Sequence, residues 1–437
     1  MLNNIRDSWA LFVGIAFIML GNGLQSSLLG LRASMESFPT LIIGFVMSGY
    51  FVGVLVGSML APKLVQRVGH IRVFGAMSSL ASISILAHGL FVDPIFWTLM
   101  RFITGVCYAG VYVISESWLN DRSDNQTRGK MLSLYMLIIS LAMGGGQFLL
   151  NLADPGNIDL FILVSVVISL GLIPMLLTAR PAPAFEMSSK MSLRALFLIS
   201  PLAVIGNGLT GVAQGTLFGL GAVYARQIGF SIAEISVFMA TFTLGGLIFQ
   251  WPIGLLSDRL DRRRVLLCVA AIATVVALLT PLFPFHGLPF LASVLLLGGM
   301  TIPMYSLCVA YANDRLEPSE MVAASGSLVM VSGIGLSIGP ILIAYFMSTA
   351  GPNSFFYGIG ISFALLLLVG LYQMRKRAPV ENEEQSPVIF AGQIGTPIAE
   401  FVAPDGEEYV EAISSGDAEQ LEQLDQTTED DDIERRL

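Results

Sequence analysis

Charge is scarce in this chain: Asp, Glu, Lys and Arg make up 13% of the 437 residues, about half the share that a soluble domain carries. With 54% of positions apolar and a mean hydropathy of +0.74, a single soluble enzyme is excluded. Cysteine is scarce as well. Cys107, Cys268 and Cys308 lie far apart inside apolar runs, which offers neither a disulfide framework nor a CxxC metal site and makes them small core residues. The sequence has no Ser-His-Asp set, no metal-ligand spacing and no phosphate loop, so no catalytic residue, metal or cofactor is expected and the chain does not read as an enzyme. Basic charge in bulk is missing too. The net charge is −9, but 17 of the 32 acids and two of the 23 bases fall in residues 378–437, leaving 15 acids and 21 bases on the body. Nucleic acid is not an expected partner.

What the chain has instead is long apolar runs. A helix crossing a bilayer needs about 20 apolar residues, because no water is present to satisfy its backbone. Eleven charge-free stretches meet that length, among them Ser8 to Leu31, Ala195 to Ala225 and Gly287 to Asn313. A twelfth, Pro94 to Ser115, is interrupted only by Arg101. Lysine and arginine are biased to one side of this pattern: 18 fall in alternate loops and at the ends, against Arg32 and Arg226 on the other side and Arg101 within a span. By the positive-inside rule both termini are cytoplasmic. The first run starts at residue 8 without a charged leader, which favours a retained helix over a removed signal peptide.

The chain also repeats itself. Gly21-Asn22-Gly23-Leu24 recurs as Gly206-Asn207-Gly208-Leu209, Arg67-Val68-Gly69-His70-Ile71-Arg72-Val73 corresponds to Arg259-Leu260-Asp261-Arg262-Arg263-Arg264-Val265, and Asn120-Asp121-Arg122 matches Asn313-Asp314-Arg315. The spacings are 185, 192 and 193 residues, in the same order and at equivalent places relative to the spans. Two like halves give a cavity at their interface and a way to rock between two openings. The expected fold is an all-α integral membrane protein of twelve transmembrane helices in two pseudo-symmetric six-helix bundles, residues 1–179 and 195–377. A cytoplasmic linker at 180–194 joins them, and residues 378–437 form a disordered acidic tail. That tail is a candidate docking segment for a cytoplasmic protein.

Gly254-Leu255-Leu256-Ser257-Asp258-Arg259-Leu260-Asp261-Arg262-Arg263-Arg264 resembles the loop signature G-x-L-a-D-r-x-G-r-k of the major facilitator superfamily. The first-half copy is degenerate, with Pro62 and Gln66 at the Gly and Asp positions, although Arg67, Gly69 and Arg72 remain. Gly49-Tyr50-Phe51-Val52-Gly53, Gly57-Ser58 and Glu116-Ser117-Trp118-Leu119 look like the YcaD-like branch of bacterial major facilitators, which supplies no substrate but implies the bacterial inner membrane. The resemblance implies a cytoplasmic gate at Arg67, Gly69, Arg72, Gly254, Asp258, Arg259 and Arg263; a charge cluster needed only for topology is the alternative. Glu116, at the end of the fourth span, is read as a partner of Arg67 or Arg72 in that gate in preference to a proton carrier.

Arg101-Phe102-Ile103-Thr104-Gly105 resembles the fourth-helix signature R-x-x-x-G of the same superfamily, whose arginine is associated with proton or substrate coupling. A charge at that depth is costly enough to suggest function; snorkelling to the headgroups is the competing reading. Helical period puts Tyr108 and Tyr112 on the side of Arg101. The resemblance implies that the first, fourth, seventh and tenth spans line the cavity, which makes Asn22, Gln25, Asn207 and Gln214 candidates, with interhelical amide bridges as the alternative. Gln147 in the fifth span and Gln250 in the eighth are further cavity candidates, and His88 reads as ordinary surface. The expected function is a secondary active transporter that moves a small organic solute, an anionic metabolite or a drug-like compound, through the lipid bilayer by alternating access, with or without protons. A non-transporting sensor or scaffold acting through the acidic tail is the alternative.

Overall fold

The computed structural model describes residues 8–121, 127–177 and 191–376. The expected linker falls largely outside them. So does the acidic tail, together with any docking role for it. All regular elements among the described residues are helical. Helices α1 (Trp9–Met35), α2 (Thr40–Val68), α3 (His70–Leu90), α4 (Pro94–Asp121), α5 (Arg128–Phe148) and α6 (Asp159–Leu176) form the first half. The second contains α7 (Leu193–Ile199), α8 (Pro201–Gln227), α9 (Ile232–Arg259), α10 (Arg262–Leu279), α11 (Leu288–Thr301), α12 (Met304–Asn313), α13 (Pro318–Ala350) and α14 (Ser354–Met374). Eleven spans are long and apolar enough to cross a membrane, or twelve with the bent pair α7 and α8. Large apolar side chains such as Ile95, Trp251 and Leu288 face outward on them, as lipid-facing residues do and water-facing ones rarely do in such number.

Two spans are interrupted, and proline explains both. The run Ala195 to Ala225 reads as one span, but the chain turns by 114° between α7 and α8. Pro201 opens α8, where its missing N–H costs nothing, and it drives the preceding Ser200 out of helical geometry to φ −136°, ψ 75°. The tenth span breaks at Ile302 and Pro303 into α11 and α12.

The pseudo-symmetry is carried by glycine. A Cβ on Gly53 would stand 2.0 Å from the Phe102 carbonyl oxygen, and one on Gly105 would stand 2.0 Å from that of Tyr50, so α2 and α4 pack backbone to backbone. In the second half, Gly245 approaches the Leu295 oxygen at 1.9 Å and Gly298 the Phe242 oxygen at 2.2 Å by the same measure. Gly53 and Gly245 are 192 residues apart, and Gly105 and Gly298 are 193 apart. These are the spacings of the sequence repeat. Likewise Gly23 and Gly146 close α1 on α5, as Gly211 and Gly335 close α8 on α13. Close approach through small residues replaces the hydrophobic drive that lipid cannot supply.

The halves meet at the end opposite the basic loops. Gly44 on α2 lies against Ala344 and Pro340 on α13, and Gly30 on α1 against Val223 on α8. Gln227 Nε2 donates to Thr40 Oγ1 at 3.0 Å, and Asn151 Nδ2 to Ser236 Oγ at 3.0 Å. The seam is closed there, and a cavity lies behind it.

Candidate functional site

The cavity sits between the two halves and holds about 1200 Å³ of empty space, counting its mouth. Asn22 and Ser26 reach it from α1, Tyr50 from α2, Arg101, Tyr112 and Glu116 from α4, and Ser140 from α5. The second half contributes Gln214 and Phe218 from α8, Thr243 and Gln250 from α9, Ile302 at the break, and Ser306 from α12.

Arg101 does not snorkel. It is 3% exposed, and its guanidinium carbon lies 4.5 Å from the centre of the Tyr50 ring. That cation–π contact holds the group without engaging its N–H edge. Its Nε is buried without a hydrogen-bond partner, and no ion pair to it is found among the described residues. The placement results from the glycine stripe: Gly49 and Gly53 let α2 approach α4 closely enough for Tyr50 to stack on Arg101. Asn22 Nδ2 donates a long hydrogen bond of 3.5 Å to the Tyr50 hydroxyl. Tyr112 donates to Met19 Sδ at 3.0 Å.

Three expected cavity residues are buried off the wall. Gln25 is turned away because it sits about 100° around the helix from Ser26, which faces in; neither of its amide atoms has a partner. Tyr108 packs its ring edge-on to Tyr50 at 6.1 Å and is fully buried. Asn207 is also fully buried, outside the lining. Gln147 is an interhelical bridge: it accepts from Ser27 Oγ and donates to the Gly23 carbonyl at 3.0 Å.

Gln214 both lines the cavity and repairs the helix break. Its Nε2 donates to the Thr301 and Ile302 carbonyls at 2.9 and 3.3 Å, at the break that separates α11 from α12. Gln214→Leu is expected to cost about 1–3 kcal/mol by stripping those buried carbonyls. Thermal melting of the purified variant checks this, and an unchanged midpoint would remove the repair role.

One pairing expected at the gate is not made. Glu116 is 4% exposed and lines the cavity, whereas Arg67 and Arg72, its expected partners, stand exposed on the surface. Gly69 has φ +88°, which only glycine adopts cheaply, and it makes the tight turn from α2 to α3. In the second half, Arg259 and Asp258 are exposed, while Gly254 is buried. Arg263 is buried, with its guanidinium 3.9 Å from Asp261. The hub is Arg262, which was not among the expected gate residues. Its guanidinium is paired with Asp314, donates to Asp258 at 3.1 Å and reaches the Ala310 carbonyl and Ser257 Oγ at 3.1 Å each. The signal was available, since Asp314 belongs to a repeat match and Arg262 to the loop signature. In the first half the equivalent position holds His70, which is buried and bonds Ser117 Oγ at 3.0 Å.

His88 is not surface. It is fully buried, with Nδ1 2.7 Å from the Ser84 carbonyl and its ring edge-on to Trp97. Tyr50 is the cavity residue that no sequence pattern marks out chemically.

The same architecture occurs in known proteins. The family model described as Major Facilitator Superfamily matches residues 11–203 and 203–405. The chain is 28% identical over 367 residues to a protein of Escherichia fergusonii named uncharacterized MFS-type transporter YcaD, covering 83% of this chain and 95% of the relative. A protein of the same name from Salmonella arizonae is 27% identical over 362 residues, covering 82% and 94%. Among solved structures, the nucleoside transporter NupG superposes with a TM-score of 0.70 at 13% identity, covering 85% of this chain and all of that one. A D-xylose-proton symporter superposes at 0.64 with 14% identity, covering 87% and 99%. At such identities these structures share the fold.

Proposed function

The chain belongs to the major facilitator superfamily of multi-pass membrane transport proteins, and from that premise we propose that it is a secondary active carrier of a small organic solute working by alternating access. The solute binds in the cavity between the halves. One observation carries this reading: residues from both bundles converge on a single cavity that also contains the buried cation Arg101 and the buried carboxylate Glu116. Rocking two like halves about such a site exposes it to each side in turn. Residues 1–179 and 195–377 are the rocking units, 180–194 the linker and 378–437 an appendage. The bias of basic residues supports a cytoplasmic position for both termini, in a bacterial inner membrane.

Glu116 is our candidate for the proton-linked group, because an ionisable residue facing an interior cavity can be exposed alternately to the two sides. The arrangement around Arg262 serves the gate as a clasp between α9, α10 and α12.

Uptake into proteoliposomes tests the proposal, using a pool of labelled anionic, neutral and cationic solutes with and without a pH gradient. Wild type should accumulate a solute, and Arg101→Ala should reduce its entry by at least about tenfold, as loss of a charge-assisted contact of about 1.5–3 kcal/mol implies. Glu116→Gln should lose gradient-driven accumulation while keeping solute exchange. If no solute in the pool moves, the carrier reading fails; if Glu116→Gln still responds fully to the gradient, Glu116 is not the proton-linked group.

A further inference from the structure

We infer that the cavity selects an amphiphilic monocarboxylate: one carboxylate on the Arg101 guanidinium, with an apolar or aromatic body along the walls. The inference rests on the carrier reading above and adds the chemical class of the ligand. A guanidinium has five N–H donors in a planar fork that matches a carboxylate in bidentate geometry. In this chain Tyr50 covers a face of that fork, and the edge is left without a hydrogen bond among the described residues, with Nε buried and unpartnered. A buried cation with no counter-ion is destabilised, and an incoming carboxylate removes that deficit. A neutral or cationic ligand does not.

The rest of the lining limits the ligand to a single negative charge. Among the described lining residues, Arg101 is the only Lys or Arg and Glu116 the only acid. They stand 15 residues apart on α4, about 22 Å along its axis. A small molecule anchored at Arg101 does not reach Glu116. A phosphate monoester brings two charges to the one Lys or Arg among the described lining residues, and a dicarboxylate carries its second charge along a lining that offers no further one, so both are disfavoured. Phe51, Phe218, Met143, Leu247, Ile302 and Leu336 supply an apolar wall, in which the flexible thioether adapts to bodies of different shape. Most of the lining surface is apolar although Ser26, Ser140, Gln250 and Ser306 also reach it, and Gln214 is already committed to Thr301 and Ile302.

The test is equilibrium binding to the full chain in nanodiscs, with empty nanodiscs subtracted, using probes that differ in charge at nearly constant shape. Octanoate, octanamide and octylamine form one series, and phenylacetate, phenylacetamide, phenethylamine and phenyl phosphate the other. At least one acid should bind about tenfold or more tighter than its amide, the amines should be weakest, and phenyl phosphate should bind more weakly than phenylacetate. Arg101→Gln should bring acid and amide to equal affinity, while Arg101→Lys should keep part of the preference. The wild-type series stands as a test even if the variants fold poorly. Amide, amine or phosphate binding as tightly as the acid overturns the inference, and so does no binding of either acid or an acid preference that survives Arg101→Gln. These outcomes leave the carrier reading in place, since that fails only when the broader uptake pool moves nothing.

Discussion

Gly105→Val is expected to remove most of the folded protein. Its Cβ would stand 2.0 Å from the Tyr50 carbonyl oxygen and 2.8 Å from the Val54 nitrogen, and backbone atoms cannot swing aside as a side-chain tip can. The only relief is to separate α2 from α4 along the glycine stripe, which forfeits the contact that positions Tyr50 against Arg101. Overpacking usually costs about 1–3 kcal/mol and more where nothing can yield. Fluorescence-detected size-exclusion chromatography should show the monodisperse peak largely lost, and any surviving fraction should melt about 10 °C or more below wild type. Gly298→Val should behave alike, because Gly298 meets the Phe242 oxygen at 2.2 Å in the same way. Gly129→Ala is the control, since no atom of the described residues lies within 4 Å of its Cβ position. A Gly105→Val protein with wild-type yield and melting temperature would show that the helices are not in backbone contact.

Arg262→Ala is the second large effect expected. The side chains of Arg262 and Asp314 are 1% and 2% exposed, so deleting the guanidinium removes a charge partner of that buried carboxylate, at a cost of about 3–5 kcal/mol. Pairing Arg262→Met with Asp314→Leu should recover much of that loss, because two apolar groups of similar volume need no counter-charge. Arg259→Ala, three residues away and exposed, should stay within about 0.5 kcal/mol of wild type. Thermal melting of these variants beside wild type decides between them. Equal melting temperatures for Arg262→Ala and Arg259→Ala would mean that the loop signature works through its exposed arginine and that the buried clasp adds nothing.

The residues proposed for the gate show how far a motif can be read without a fold. The loop signature locates three consecutive arginines at 262, 263 and 264, each about 100° around the helix from the next. Which of them meets Asp314, far along the chain, depends on how α10 is rolled against α12. The first half makes the same point by contrast. The signature there is degenerate, yet the position equivalent to Arg262 holds a buried His70 bonded to Ser117, a partner no spacing rule selects. The cavity obeys the same logic: Asn22, Tyr112, Gln214 and Arg101 reach it as the residue types and the repeat suggest, whereas Gln25, Tyr108 and Asn207 do not.

The sequence by itself determined the run of apolar spans, the two-fold repeat, the basic side of the molecule and the place of Arg101 within a span. These are local properties: in lipid each segment must satisfy its own backbone hydrogen bonds, so hydropathy and charge along the chain are sufficient to find them. Only the tertiary structure decided which side of each helix faces the cavity, that Tyr50 stacks on Arg101, that Glu116 lines the cavity while Arg67 and Arg72 stay exposed, and that Arg262 closes on Asp314. Those outcomes depend on the rotation and closeness of helices far apart in sequence. That rotation is set by glycine carbonyl contacts between α2 and α4 and between α9 and α11, a condition that exists only once the helices have packed.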